Sequence, residues 1–297
     1  MTATPQLTAI GCTGPIGRVF VDGLTQQGVS LRVLARDPKT VANHHPTVQT
    51  SAGSIMEARD VATALEGVDT ALVVTPMGLR DDPSLEIAAA KAVLGGAKTA
   101  GLKHLIYTSV LNASERGKVG VGVLDAKFEI ERLIRESGVP HTILRTGSYM
   151  EDVFDTREAL LRKGSFLFPV TKTRRFNYTR QADLPPFVAQ YLLGGDRALN
   201  SAFNFVSPGT YSVKQVEAVL SLAAGLNVKA TPKFPTYYMF LAMLPLFNLQ
   251  GDRFSSIIPL IRYFDGHGYE AVGPSVADLY PAFRTTTLET HLEKLLG

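Results

Sequence analysis

The sequence predicts an α/β fold: a doubly wound parallel sheet, with a smaller α+β part at the C-terminal end. Three observations predict it. Short, continuously apolar runs alternate with amphipathic helical stretches from Leu7 to Arg145, the pattern of strands buried on both faces and joined by crossover helices. Gly28, Gly67, Gly101 and Gly138 stand just past the predicted helices, where a left-handed cap belongs. A glycine-rich turn, Gly11-Cys12-Thr13-Gly14-Pro15-Ile16-Gly17, joins the first strand to the first helix, as in a nucleotide-binding βαβ unit.

The elements follow in order. A strand from Leu7 leads into the glycine turn, and Ile16 to Gln27 is a helix with Ile16, Val19, Phe20 and Leu24 on one face. Val29–Ala35 is a strand, Val48–Ala52 a weaker one, and Glu57–Glu66 a helix. Thr70–Thr75 is an apolar strand halted by Pro76, Leu85–Ala100 an alanine-rich helix, and His104–Ser109 a strand. Lys127–Ser137 is a helix and His141–Arg145 a strand. The alternation then breaks. Val153–Lys163 reads as helical, residues 165–170 and 176–178 as strand-like pieces, Gln181–Leu193 as a helix and Ala202–Val206 as a strand. Ser212, a natural N-cap, opens a helix to Ala224, and Thr287–Leu296 closes the chain. Residues 1–150 with about 181–206 are expected to form the nucleotide-binding domain. About 151–180 and 207–297 form the smaller, substrate-binding part.

Composition narrows the function. A chain of 297 residues, 45% hydrophobic and 19% charged, has ample core for one large domain or two intimately packed ones. A net charge of +3 gives no global attraction to nucleic acid or anionic membrane. The single Cys12 excludes an intrachain disulfide and a thiolate metal cluster. His44-His45 has no third ligand beside it, so no metal is expected. The N-terminus lacks a secretion signal, which places the protein in the cytoplasm. The apolar stretch Thr236–Leu249, containing Pro245, is too short to span a bilayer. It suits a buried helix, a pocket lid or a dimer surface. Lys172-Thr173-Arg174-Arg175 is a basic turn without any accompanying nucleic-acid motif.

The glycine turn makes this a Rossmann-type fold, with Gly11, Thr13, Gly14, Pro15, Ile16 and Gly17 against a pyrophosphate at the helix start. In such sheets the ligand lies across the carboxyl ends of the strands. The second strand ends Ala35-Arg36-Asp37-Pro38. An acidic tip would read a free ribose 2′-hydroxyl, whereas an arginine clamps a 2′-phosphate. Arg36 comes first, so NADP(H) is preferred over NAD(H).

This turn, the Ala-Arg-Asp-Pro tip, Val74-Thr75-Pro76, Lys103-His-Leu-Ile-Tyr-Thr-Ser109 and Ser137-Gly-Val-Pro-His-Thr-Ile-Leu-Arg-Thr-Gly147 resemble NmrA-like proteins. These are atypical members of the short-chain dehydrogenase/reductase superfamily. The likeness is carried by residues 7–150 and thins beyond about 206. It implies NADP(H) along the glycine turn and Arg36. The nicotinamide half then lies near Thr75, Pro76, Ser109, Lys127 and the loop from Gly147 to Tyr149. Members of the family divide between reductases, including quinone reductases, and NADP-sensing regulators that bind other proteins.

Typical short-chain dehydrogenases carry Tyr-x-x-x-Lys, the tyrosine being the proton donor. Here Lys127 is present, suited to the nicotinamide ribose, but Val123 holds the tyrosine position. Without that acid, an alkoxide from a simple ketone is costly. A quinone yields a delocalised, weakly basic anion instead. The sequence thus predicts an NADP(H)-binding oxidoreductase acting on a quinone or similar electron-poor, apolar acceptor, with Lys127 and Tyr149 as catalytic candidates. The alternative is a weakly catalytic NADP(H)-sensing regulator with a protein partner. A homodimer is compatible with either.

Overall fold

Each apolar run of the N-terminal half becomes a parallel strand. A computed structural model of the chain describes residues 5–75, 82–166, 168, 170–193, 199–230 and 257–297. Pro76 and the apolar stretch Thr236–Leu249 lie outside the described residues. The N-terminal elements are β1 (Leu7–Ile10), α1 (Pro15–Gln26), β2 (Leu31–Ala35), α2 (Pro38–Ala42), β3 (Gln49–Ala52), α3 (Ala58–Ala64), β4 (Thr70–Val73), α4 (Pro83–Ala100), β5 (His104–Val110), α5 (Ala113–Arg116), α6 (Gly122–Glu136) and β6 (His141–Thr146). Ser201–Phe205, β7, pairs with β6 and completes a seven-stranded sheet in the order β7-β6-β5-β4-β1-β2-β3. All its pairings are parallel. The order reverses between β1 and β4, so the crevice at their carboxyl ends is where a doubly wound sheet takes its ligand.

The sheet is covered on both faces. Phe20 and Leu24 of α1 pack with Leu184 and Phe187 against one face. Val61 of α3, Val93 of α4, and Ile130 and Ile134 of α6 pack against the other. Gly28, Gly67, Gly101 and Gly138 all have positive φ, between 63° and 75°, as their capping role requires. The helix expected from Gln181 to Leu193 is broken instead into a 3₁₀ turn, a short α-helical turn at Leu184–Phe187 and a π-helical turn at Val188–Leu192. Pro185 and Pro186 lack the N–H groups a regular helix would use. Pro185 packs so closely on α1 that a Cβ at Gly23 would lie 2.5 Å from it.

A third core holds Phe154, Phe166, Phe176 and Tyr178 against Leu288 and Leu292 of the closing helix, Leu288–Leu296. Val153–Lys163 is not one helix: Asp155–Arg157 is a 3₁₀ turn between short helices at Met150–Val153 and Glu158–Leu161. Three two-stranded pairings stitch this region together, among them Ser148–Tyr149 beside Tyr178–Thr179. Ser212 caps α7 (Val213–Ala224) with a full capping box to Gln215. The basic turn is tied into this packing, with Lys172 on Glu217 at 2.6 Å and Arg175 on Glu270 at 3.2 Å. Among the described residues, no helix is long and apolar enough to cross a membrane.

Candidate active site

The glycine turn has the geometry of a phosphate cradle. Gly11 sits at φ +73°, and a Cβ there would fall 1.9 Å from the Val74 carbonyl oxygen of the neighbouring chain segment. A Cβ at Gly17 would meet Cys12 Cα at 2.3 Å. These two glycines are required by the protein's own packing. Gly14 differs: nothing lies within 4 Å of its Cβ position. Its lack of a side chain leaves open space at the start of α1, which has no side-chain cap and no acidic residue in its first turn. Free N–H groups beside open space are what an anion needs there. Thr13 and Pro15 are exposed, Ile16 is half-buried, and Arg18 Nε donates to the Thr13 carbonyl at 3.2 Å. Cys12 is buried, which pushes its thiol up to about 12 and makes it an inert packing residue.

At the tip of β2 the two charged residues have separate duties. The Asp37 carboxylate accepts from the Lys39 amide at 3.0 Å and caps α2. Arg36 is exposed, and among the described residues its guanidinium has no carboxylate partner. The residues present therefore fit a dinucleotide: an open anion cradle at Gly14 and, one strand away, the exposed cation of Arg36.

Lys127 stands in α6 and is only 5% exposed. Its ammonium donates to Glu86 Oε1 at 2.8 Å, Thr75 Oγ1 at 3.0 Å, Tyr107 OH at 3.0 Å and the Thr108 carbonyl at 3.3 Å. Thr75 in turn donates to Glu86 at 2.5 Å. The carboxyl end of β4, the middle of β5, the first turn of α4 and the first half of α6 thus meet in one buried cluster. Burial by itself would lower the Lys127 pKa, but the Glu86 carboxylate and the Tyr107 hydroxyl outweigh it and hold the ammonium above its ordinary value. Burial pushes Tyr107 up to about 12 against the pull of Lys127. Glu86 and Tyr107 were not among the sequence candidates. Glu86 was findable: it falls in the buried stripe of α4 with Ala89, Ala90, Val93 and Ala97, where a carboxylate demands a partner.

Tyr149 is half-buried, its hydroxyl 3.1 Å from Thr146 Oγ1. Burial pushes its pKa up to about 12, so it keeps its proton. Tyr269 OH donates to the Thr146 carbonyl at 3.3 Å and accepts from the Leu111 amide at 3.1 Å. Two expectations meet a different arrangement. Ser109 does not turn to the cleft: its hydroxyl donates to Glu131 at 2.7 Å, within a buried network where Arg145 forks onto the same carboxylate at 3.0 and 2.7 Å. Gly147 serves packing: its N–H donates to Thr179 Oγ1 at 2.9 Å, and a Cβ would lie 2.4 Å from the Asn177 carbonyl oxygen. His44 and His45 diverge, toward the Thr40 carbonyl at 3.0 Å and Asp22 at 2.8 Å.

Known proteins resemble this chain in sequence and in fold. An NAD(P)H azoreductase of Xenophilus azovorans is 29% identical over 224 residues, 75% of each chain. Quinone oxidoreductase 2 of Escherichia coli is 23% identical over 73% of this chain and 74% of its own. Among solved structures, the triphenylmethane reductase of Citrobacter sp. complexed with NADP(H) superposes with a TM-score of 0.78 at 20% identity, covering 98% of this chain and 100% of that one. The NADPH complex of the Escherichia coli quinone oxidoreductase superposes with a TM-score of 0.77 at 19% identity, with the same coverage. At such identities the structural likeness speaks for the fold. The family model for NmrA-like proteins matches residues 3–292, nearly the whole chain. With the doubly wound sheet, the glycine turn and this match together, the chain belongs to the NmrA-like family.

Proposed function

We propose that this protein is an NADP(H)-dependent reductase that passes hydride to a quinone or a similarly electron-poor, conjugated acceptor. The observation that carries the proposal is the pairing of an open anion cradle at Gly14 with the protonated Lys127 of α6, which reaches Thr75 just past β4. Gly14, the α1 amides and Arg36 would hold the phosphates, and Lys127 the nicotinamide ribose. When bound, the reduced nicotinamide supplies the hydride. The residues about the cleft supply little acid. Tyr107 is buried with its hydroxyl committed to Lys127 and Thr75, and Tyr149 holds its proton tightly. An acceptor that spreads the new charge over a π system tolerates this, because protonation can follow later from water. Quinones, azo compounds and triphenylmethane dyes, named for the relatives, are all conjugated acceptors of this kind. Residues 151–180 and 207–297 would form the acceptor-binding part.

The test is steady-state oxidation of NADPH by the full chain with a panel of quinones, followed by nicotinamide absorbance. Turnover is expected, with Lys127→Ala losing about a hundredfold or more in kcat/KM, in the range of a lost electrostatic contact to the reacting complex. Tight NADPH binding with no turnover across the panel would favour the NADP(H)-sensing regulator instead.

A further inference from the structure

Beyond the cofactor cleft, α5 and α8 (Ile257–His267) border a cavity of about 510 Å³ lined, among the described residues, by Arg116, Val119, Tyr263 and His267. Its size is that of a small-molecule pocket. The Tyr263 and His267 rings, both bordering the cavity, stack on each other at 4.6 Å with 21° between their planes. Arg116 lies over the Tyr263 ring, 5.4 Å from its centroid, and donates to the Tyr263 hydroxyl at 2.6 Å. That bond uses one of five guanidinium donors. Among the described residues, no carboxylate pairs with Arg116. The adjacent Glu115 turns away to Arg145 at 2.5 Å. Among the described residues, Arg116 is therefore a half-buried cation with guanidinium donors to spare for an anion.

The cavity lies close to the carboxyl end of β5. Arg116, Val119 and Tyr263 also border Val110 and Leu111, at the carboxyl end of β5. The Leu111 amide donates to Tyr269 OH, which reaches Thr146 and so Tyr149. The same strand carries Tyr107 and Thr108, the contacts of Lys127.

We propose that this cavity is the acceptor pocket and that Arg116 selects planar aromatic acceptors bearing an anionic group, a sulfonate or a carboxylate. The stacked rings and Val119 hold the arene, and the guanidinium forks onto two oxygens of the anion. The proposal rests on the reductase reading, because it names that enzyme's substrate class.

The test separates the two. Naphthalenesulfonate and its neutral isostere, naphthalenesulfonamide, are titrated calorimetrically into the full chain with NADP⁺ present. The wild type is expected to prefer the sulfonate by about tenfold or more, as a charge-assisted fork implies. Arg116→Gln should reduce that preference to about threefold or less, whereas Arg116→Lys, keeping the charge, should retain part of it. Tyr263→Phe, which removes the hydroxyl but leaves the cation, should retain it and so excludes simple loss of packing. A wild type without preference, or a preference that survives Arg116→Gln, overturns the proposal. In parallel, a sulfonated and an unsulfonated naphthoquinone are compared as acceptors. Arg116-dependent sulfonate binding without any turnover would sink the reductase reading and keep the pocket as an anionic-arene site. Turnover with no sulfonate preference would do the reverse.

Discussion

Lys127 and Glu86 meet at 2.8 Å with almost no solvent around either. Two opposite charges so placed gain little over an apolar pair, but removing one strands the other at a cost of about 3–5 kcal/mol. Glu86→Ala should therefore lower stability by roughly that amount in chemical denaturation. The double variant Glu86→Leu with Lys127→Met should lose much less than the two single losses combined. Additive losses would mean that the ammonium and carboxylate do not depend on each other. The sequence made Lys127 visible through its place four residues after the vacant tyrosine position, but not its partners. Glu86 and Tyr107 lie 41 and 20 residues away along the chain, brought in by the sheet order rather than by any local spacing. Ser109 misled for a related reason: the end of β5 looked like a cleft position, while the carboxylate that takes its hydroxyl, Glu131, belongs to the sheet-facing stripe of α6.

The glycine turn between β1 and α1 gives a contrast within one element. Gly11→Ala would need a left-handed residue and a Cβ inside the Val74 carbonyl, so it should destabilise by several kcal/mol or prevent folding. Gly14 has φ −81° and open space. Gly14→Ala should cost only about 1 kcal/mol, the usual price of alanine at an N-cap, yet block the approach of a phosphate. Thermal melts combined with NADPH titration check both. A Gly14→Ala protein that binds NADPH as tightly as the wild type would remove the cradle argument. Elements of this kind were legible because a local cause suffices: apolar runs, caps such as Ser212 with Gln215, and glycine stops. Legibility failed where side-chain bonds to the backbone or tertiary contacts override helix preference. α6 begins at Gly122 rather than Lys127 because Asp125 accepts from the Val119 and Gly120 amides at 2.6 and 3.1 Å. The Gln181–Leu193 stretch trades regular helix for close packing of Pro185 on Gly23.

Across the whole molecule, acid should weaken the fold through its interior histidines. His104 is buried at the amino end of β5, with Nε2 2.7 Å from Thr142 Oγ1, and burial lowers its pKa from 6.5 to about 4. Between those values the unfolded chain binds a proton that the folded chain refuses, so stability rises with pH there. The contribution is complete above 6.5 and lost as pH falls toward 4, a change of up to about 3 kcal/mol. His141 is shifted the same way, again mainly by burial. Despite its own burial, Glu131 is held below the usual carboxylate range by Arg145, so its contribution fails only at lower pH. Denaturation of His104→Asn across this range should give a flatter slope than the wild type. An unchanged slope would place the titrating group elsewhere.

Binding of a 2′-phosphorylated dinucleotide by the glycine turn and Arg36 underlies the whole account, and calorimetric titration of NADPH and NADH into the wild type and Arg36→Ala measures it most directly. The wild type should prefer NADPH by roughly tenfold or more, the worth of a charge-assisted bond of about 1.5–3 kcal/mol, with most of that preference gone in Arg36→Ala while NADH affinity changes little. No heat from either coenzyme, or equal weakening of both by the substitution, would contradict it.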